Sequence, residues 1–135
     1  MRLTKIFICM LAVSLLSFTS IEKNKTNQGE WRFLADKKVG FGVDHDVIHF
    51  SNWGDNVRQI KLKVTDGPLK MYDMKVHFDN GTTQDIQLRF KFAQGSESRV
   101  IDLDGGLRRL DKIEFRYETK GFMRGKAQIS VYGRN

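Results

Sequence analysis

Ser98–Tyr117 reads SRVIDLDGGLRRLDKIEFRY, and the class of the fold turns on it. Ile101 and Leu103 alternate with Asp102 and Asp104; further on, Ile113, Phe115 and Tyr117 alternate with Lys112, Glu114 and Arg116. Successive side chains leave a β-strand on opposite faces, so an apolar residue at every second position predicts a half-buried strand. Gly105-Gly106 stands between the runs, where paired glycines accept positive φ and let the chain turn. Leu107-Arg108-Arg109-Leu110 then breaks the alternation.

The same pattern extends outward in both directions. Glu118–Gly125 is a loop by composition, and Ala127–Tyr132 a final strand. Upstream, Tyr72, Met74, Val76 and Phe78 fall at even positions, as do Ile86, Leu88, Phe90 and Phe92. Directly paired antiparallel residues share a face. A two-residue Asn80-Gly81 turn would set Val76 against Asp85 and mix the faces. A three-residue loop, Asp79-Asn80-Gly81, pairs Met74 with Ile86, Tyr72 with Leu88 and Lys75 with Asp85; Gly81 suits its left-handed last position. Val57–Thr65 alternates Ile60, Leu62 and Val64 with Lys61 and Lys63, and Asp66-Gly67-Pro68 closes it with a turn. Trp31–Phe33 opens a short strand with Trp31 expected in the core. Val39–Val43 reads as a strand weakened by Gly40 and Gly42, and His45–Phe50 follows as another. No helical period of useful length appears after residue 30. About eight or nine short strands predict an all-β fold, an antiparallel β-sandwich or jelly roll.

The N-terminus has a different composition. Arg2 and Lys5 precede an apolar run, Ile6–Phe18, of 13 residues interrupted only by Ser14 and Ser17. That is the layout of a secretory signal peptide and short for a membrane span. Residues 1–19 are expected to be the signal, 20–29 a disordered polar spacer and 30–135 the β-sandwich domain. The lone Cys9 lies within the apolar run, so the mature domain would hold no disulfide, thiolate nucleophile or cysteine–zinc site. The formal charge of +7 becomes +5 without Arg2 and Lys5. The charge suits anionic partners, but its ordinary meaning is a solvated surface. Export makes nucleic acid an unexpected partner, and no transmembrane span is expected in the mature chain.

Catalytic signatures are sparse. No nucleophile elbow, P-loop or H-E-x-x-H zinc pattern is present. His45 and His49 would stand roughly 13 Å apart on a strand, too far to share one ion. Asp44 and Asp46, or Asp102 and Asp104 beside the Gly105-Gly106 turn, lack full calcium-loop spacing. No metal or other cofactor is expected. The binding candidates are Trp53, in the polar loop SNWGDN, and Phe122-Met123-Arg124, between Gly121 and Gly125. A loop aromatic can stack on a sugar or anchor a protein contact. Arg108 and Arg109 are candidate contacts for an anionic group, or partners of the neighbouring aspartates.

The order DMKVHFDNG (73–81), Q-G-x-x-S-R-x-I-D-L (94–103), G-G-x-R-x-L-x-x-I (105–113) and a closing V-x-G (131–133) resembles a family of uncharacterised small exported bacterial β-proteins. The resemblance spans nearly all of residues 30–134 and implies a β-sandwich with no known catalytic residues. Ile101–Leu103 and Leu110–Tyr117 are also similar in pattern to discoidin-type, galactose-binding-like jelly rolls. The resulting expectation is an exported (periplasmic or extracellular), non-catalytic binding module for a cell-envelope glycan or protein. The alternative is an assembly partner that docks through a sheet edge or an apolar loop. A small hydrolase is a third class, because the separation of paired acids cannot be read from a sequence.

Overall fold

A computed structural model describes residues 29–40, 42–51, 56–119 and 127–135. The expected signal (1–19), residues 20–28 of the expected spacer, Trp53 and Phe122–Arg124 lie outside the described residues. Nine strands follow in order: β1 (Arg32–Lys38), β2 (Val43–His49), β3 (Gln59–Thr65), β4 (Leu69–Phe78), β5 (Thr83–Ile86), β6 (Phe90–Phe92), β7 (Ile101–Asp102), β8 (Leu110–Glu118) and β9 (Gln128–Arg134). The described residues contain no helix, and so none long and apolar enough to cross a membrane. The expectation of an all-β sandwich holds.

All pairings are antiparallel. One sheet, A, runs β1-β9-β3-β7; the other, B, runs β2-β8-β4-β5, with β6 also on β4. β1 pairs with β9, β2 with β8, β3 with β7, and β4 with β5 and β6. The chain is thus one long hairpin folded over on itself. The β9–β3 and β8–β4 pairings close it into two sheets, which is the winding of a jelly roll. The two runs of Ser98–Tyr117 therefore lie in different sheets. Between them, Gly105 and Gly106 take φ of 83° and 79°.

The core fills from the inward residues of both sheets: Ile60, Leu62 and Val64 of β3, Ile129 and Val131 of β9, Met74 and Val76 of β4, and Ile113, Phe115 and Tyr117 of β8, all at most 2% exposed. Gly133 of the V-x-G motif is needed here. A Cβ on it would sit 2.7 Å from Val57 Cγ1 and 2.8 Å from Leu34 Cδ1. Gly95–Ser98 continues the sheet A edge beyond β7 through backbone bonds to Leu62 and Val64.

The 79–81 loop and its register are as read from sequence: Met74 faces Ile86, Lys75 faces Asp85 and Gly81 has φ 86°. Other expectations need correction. β4 shifts register between Met71 and Asp73. Leu69 and Met71 point inward below this bulge and Met74, Val76 and Phe78 above it, so Tyr72 leaves the core and lies half-buried. The β5–β6 connection shifts by the same one residue, because Met74 pairs with Ile86 but Met71 with Phe90. The Tyr72–Leu88 pair is therefore absent from the β4–β5 ladder, and Phe90 is 50% exposed at the sheet edge, its ring edge-on to Phe92. Val39–Val43 does not form a strand of its own: β1 runs on to Lys38, Val39 follows it with its N–H bonded to Ala127 O, and Val43 already belongs to β2.

Candidate aromatic face on sheet A

Tyr132 lies between the buried Val131 and Gly133, and Lys61 between the buried Ile60 and Leu62. Both therefore point out of sheet A, and they are directly paired. Phe33 of β1 pairs with Tyr132 from the other side, their ring centroids 5.9 Å apart in an edge arrangement. Phe33 is 55% exposed. One step along the sheet, Trp31 has Lys61 Nζ at 4.6 Å and the Arg134 guanidinium at 4.5 Å from its ring centroid. Trp31 is thus half-buried on the outer surface, not in the core. There its ring has a cation within cation–π range from each of two strands. Lys61 also binds Glu97 at 3.0 Å, and Arg134 Nε donates to Gln59 Oε1 at 2.8 Å. These bonds hold the cations in place over the ring. Trp31, Phe33 and Tyr132 form an aromatic face bordered by positive charge. Sequence reading missed it because Trp31 and Phe33 precede β9 by about a hundred positions and only the β1–β9 pairing joins them.

Of the sequence candidates, Arg108 and Arg109 are described. Arg108 is a structural staple. Its Nη1 donates to Asp104 O at 2.8 Å, and its Nη2 to Asn80 Oδ1 at 3.1 Å and Thr82 Oγ1 at 2.8 Å. Its guanidinium stacks 3.8 Å from the Phe78 ring centroid. It ties the 104–107 turn to the 79–81 loop through the Asp104 carbonyl, and most of its donors are spent inside the chain. Arg109 is looser, with Nε 3.9 Å from Asp79 Oδ2. The two arginines do not meet the aromatic face.

The outer face of sheet B carries a ladder of opposite charges. Arg116 grips Asp73 through Nε at 2.9 Å and Nη2 at 2.5 Å. Lys75 lies 3.6 Å from Asp85, and His77 Nε2 lies 3.2 Å from Glu114 Oε2, close enough to attract but off the line of a good hydrogen bond. A shallow groove of about 390 Å³ runs among them. His77 beside Glu114 pulls that carboxyl below its ordinary range. Each acid in the groove has a basic partner. A general acid at neutral pH needs the reverse, a carboxyl raised by burial or by a second acid. At the sandwich's lateral edge, burial pushes the Asp46 carboxyl up, but hydrogen bonds from Lys37 and Tyr117 outweigh it and the net shift is downward. Among the described residues no three His, Cys, Asp or Glu side chains gather as metal ligands.

Residues 7–133 match the family described as Domain of unknown function (DUF2541), and the chain belongs to that family. No curated protein and no solved structure matches it.

Proposed function

We propose that this chain is an exported, non-catalytic module that binds a cell-envelope glycan through the outer face of sheet A. The observation that carries the reading is the gathering of Trp31, Phe33 and Tyr132 on one outward face, with Phe33 55% exposed. Aromatic rings gain most by burial, and a ring left on a rigid sheet can stack on the apolar face of a sugar. The signal-like N-terminus supports an envelope location, and the ion-paired acids of sheet B support binding over hydrolysis. Docking by strand addition has less support. The β1 edge carries a bulge between Phe33 and Ala35 together with Arg32, Asp36, Lys37 and Lys38, and such features blunt an edge against pairing.

The test is thermal unfolding against a panel of envelope polysaccharides. At a hundredfold excess over Kd a ligand stabilises the fold by roughly 2.7 kcal/mol, a rise of several degrees. One polysaccharide is expected to raise the midpoint, and Phe33→Ser to abolish that rise while leaving the ligand-free midpoint nearly unchanged. No rise with any polysaccharide, or a rise that survives Phe33→Ser, would refute the reading.

A further inference from the structure

A second site lies on sheet B, where β6 joins the start of β4. The register sets Lys70 directly opposite Lys91. Like charges placed this way destabilise a sheet. Among the described residues this is the one direct pair of Lys or Arg side chains in any ladder. Arg89 adjoins them, and the three cations border a cleft of about 270 Å³ with Tyr72 and Phe90. None of the three forms an ion pair among the described residues. Glu118 faces Lys70 from β8, but its carboxylate accepts the Tyr72 hydroxyl. Lys70 Nζ instead lies 5.1 Å from the centroid of the Tyr72 ring.

We propose that this cleft binds the phosphate of an anionic lipid headgroup, with Lys70, Arg89 and Lys91 on the phosphate and Phe90 against the apolar part of the lipid. Three cations held together against their own repulsion fit an oxyanion, and a guanidinium among them suits phosphate geometry. Phe90, paired with the inward Met71, leaves the edge strand β6 on the side opposite Lys91 and is 50% exposed at the cleft rim; an apolar chain reaching round that edge supplies the second signal that membrane attachment requires beside charge. A soluble phosphate would engage the cations and leave Phe90 without a contact. The site lies on the opposite sheet from the aromatic face and does not depend on the glycan reading.

The test is co-flotation of the full chain with vesicles of equal parts phosphatidylglycerol and phosphatidylcholine, against vesicles of phosphatidylcholine alone. Insertion of the apolar run at residues 6–18 would act on both vesicles, so the readout is the difference between them. The wild type is expected to prefer the anionic vesicles. The combined variant K70Q/R89Q/K91Q is expected to lose that preference by about tenfold or more, with a thermal midpoint no lower than wild type because the Lys70–Lys91 repulsion is gone. The control K38Q/R58Q/K63Q removes equal charge elsewhere and is expected to keep the preference within about twofold. Phe90→Ser is expected to weaken anionic-vesicle binding. An equal loss in the control would make the effect one of net charge and overturn the site. Wild-type binding to soluble pyrophosphate without preference for anionic vesicles would overturn the lipid assignment, as would absence of binding to either.

Discussion

Replacement of Arg108 by alanine should cost stability and leave any ligand untouched. The side chain makes three hydrogen bonds, to Asp104 O, Asn80 Oδ1 and Thr82 Oγ1, and stacks on Phe78. Net of water, each bond in a half-exposed setting contributes about 0.5 kcal/mol, the low end of the usual range. The stacking adds about 0.5–1 kcal/mol. The alanine variant leaves Asn80 and Thr82 bonded to each other, Thr82 Oγ1 to Asn80 Oδ1 at 2.6 Å, so no stranded polar group enlarges the loss. Removing one charge from a chain of net +7 relieves a few tenths of a kcal/mol in the other direction. The expected net cost is about 2 kcal/mol. In urea, with a slope of about 1–1.5 kcal/mol per molar, the unfolding midpoint should fall by roughly 1.5 M at constant slope. Arg108→Lys keeps a cation over Phe78 but loses the fork that reaches two elements, so it should recover less than half of the loss. A double-mutant cycle with Asn80→Ala should give a coupling of about 0.5–1 kcal/mol. A loss below about 0.5 kcal/mol for the alanine variant, or no coupling to Asn80, would refute the staple and return Arg108 to the pool of ligand contacts.

Gly133→Ala should destabilise by about 1–3 kcal/mol, because its Cβ would overlap Val57 and Leu34 in a filled layer; a near-neutral result in denaturant titration would mean that the layer can give way. Gly81→Ala, at φ 86° in open space, should cost about 1 kcal/mol from backbone strain alone, and a shift in the Lys75–Asp85 register seen by NMR would overturn the three-residue loop. The carboxyls of Asp46 and Glu114 are both held below their ordinary values, so the stability they add is complete above the usual carboxylate range and is lost as pH falls through their lowered values. The thermal midpoint should drop between roughly pH 5 and pH 2, and less steeply in Asp46→Asn; an unchanged slope in that variant would remove Asp46 from the account.

The strands were legible because burial imposes period two, and sequence carries that period directly. Ile60, Leu62 and Val64, or Ile113, Phe115 and Tyr117, could be assigned to the core without any pairing known. The Lys75–Asp85 register was legible because two strands joined by a short loop must match faces across it. Pairings between distant strands were not. Phe33 meets Tyr132 because β1 runs beside β9, and neither strand bears a mark that names the other. Trp31 was placed inside because it lies on a strand, but its position next to Lys61 and Arg134 is settled by that same pairing. Arg108 was singled out for its charge, yet its role as a staple depends on the 79–81 loop folding beneath it.

The bulge in β4 shows why the surface is harder to read than the core. An extra residue at Tyr72–Asp73 reverses the faces of everything before it, and alternation read from Phe78 backward assigns Tyr72 inward and Met71 outward. The inward layer gains from the reversal, because Met71 and Leu69 take the places that unbroken alternation would give to Tyr72 and Lys70. The outer layer changes its chemistry. Tyr72 leaves the core and joins Asp73 outside it, and each finds a partner on β8: Glu118 for Tyr72, Arg116 for Asp73. With Glu118 taken by Tyr72, Lys70 is left facing Lys91 with no carboxylate in ion-pair range. The like-charged pair thus needs both the bulge, which turns Lys70 outward, and the one-residue shift between β5 and β6, which sets Lys91 opposite it. A sequence optimised for stability alone would place an acid at position 91, since Lys70, whose other cross-strand neighbour Glu118 is engaged by Tyr72, would then face an opposite charge where it now meets a like one. Retaining a lysine there is the cost expected of a binding site, where the opposing charge arrives with the ligand.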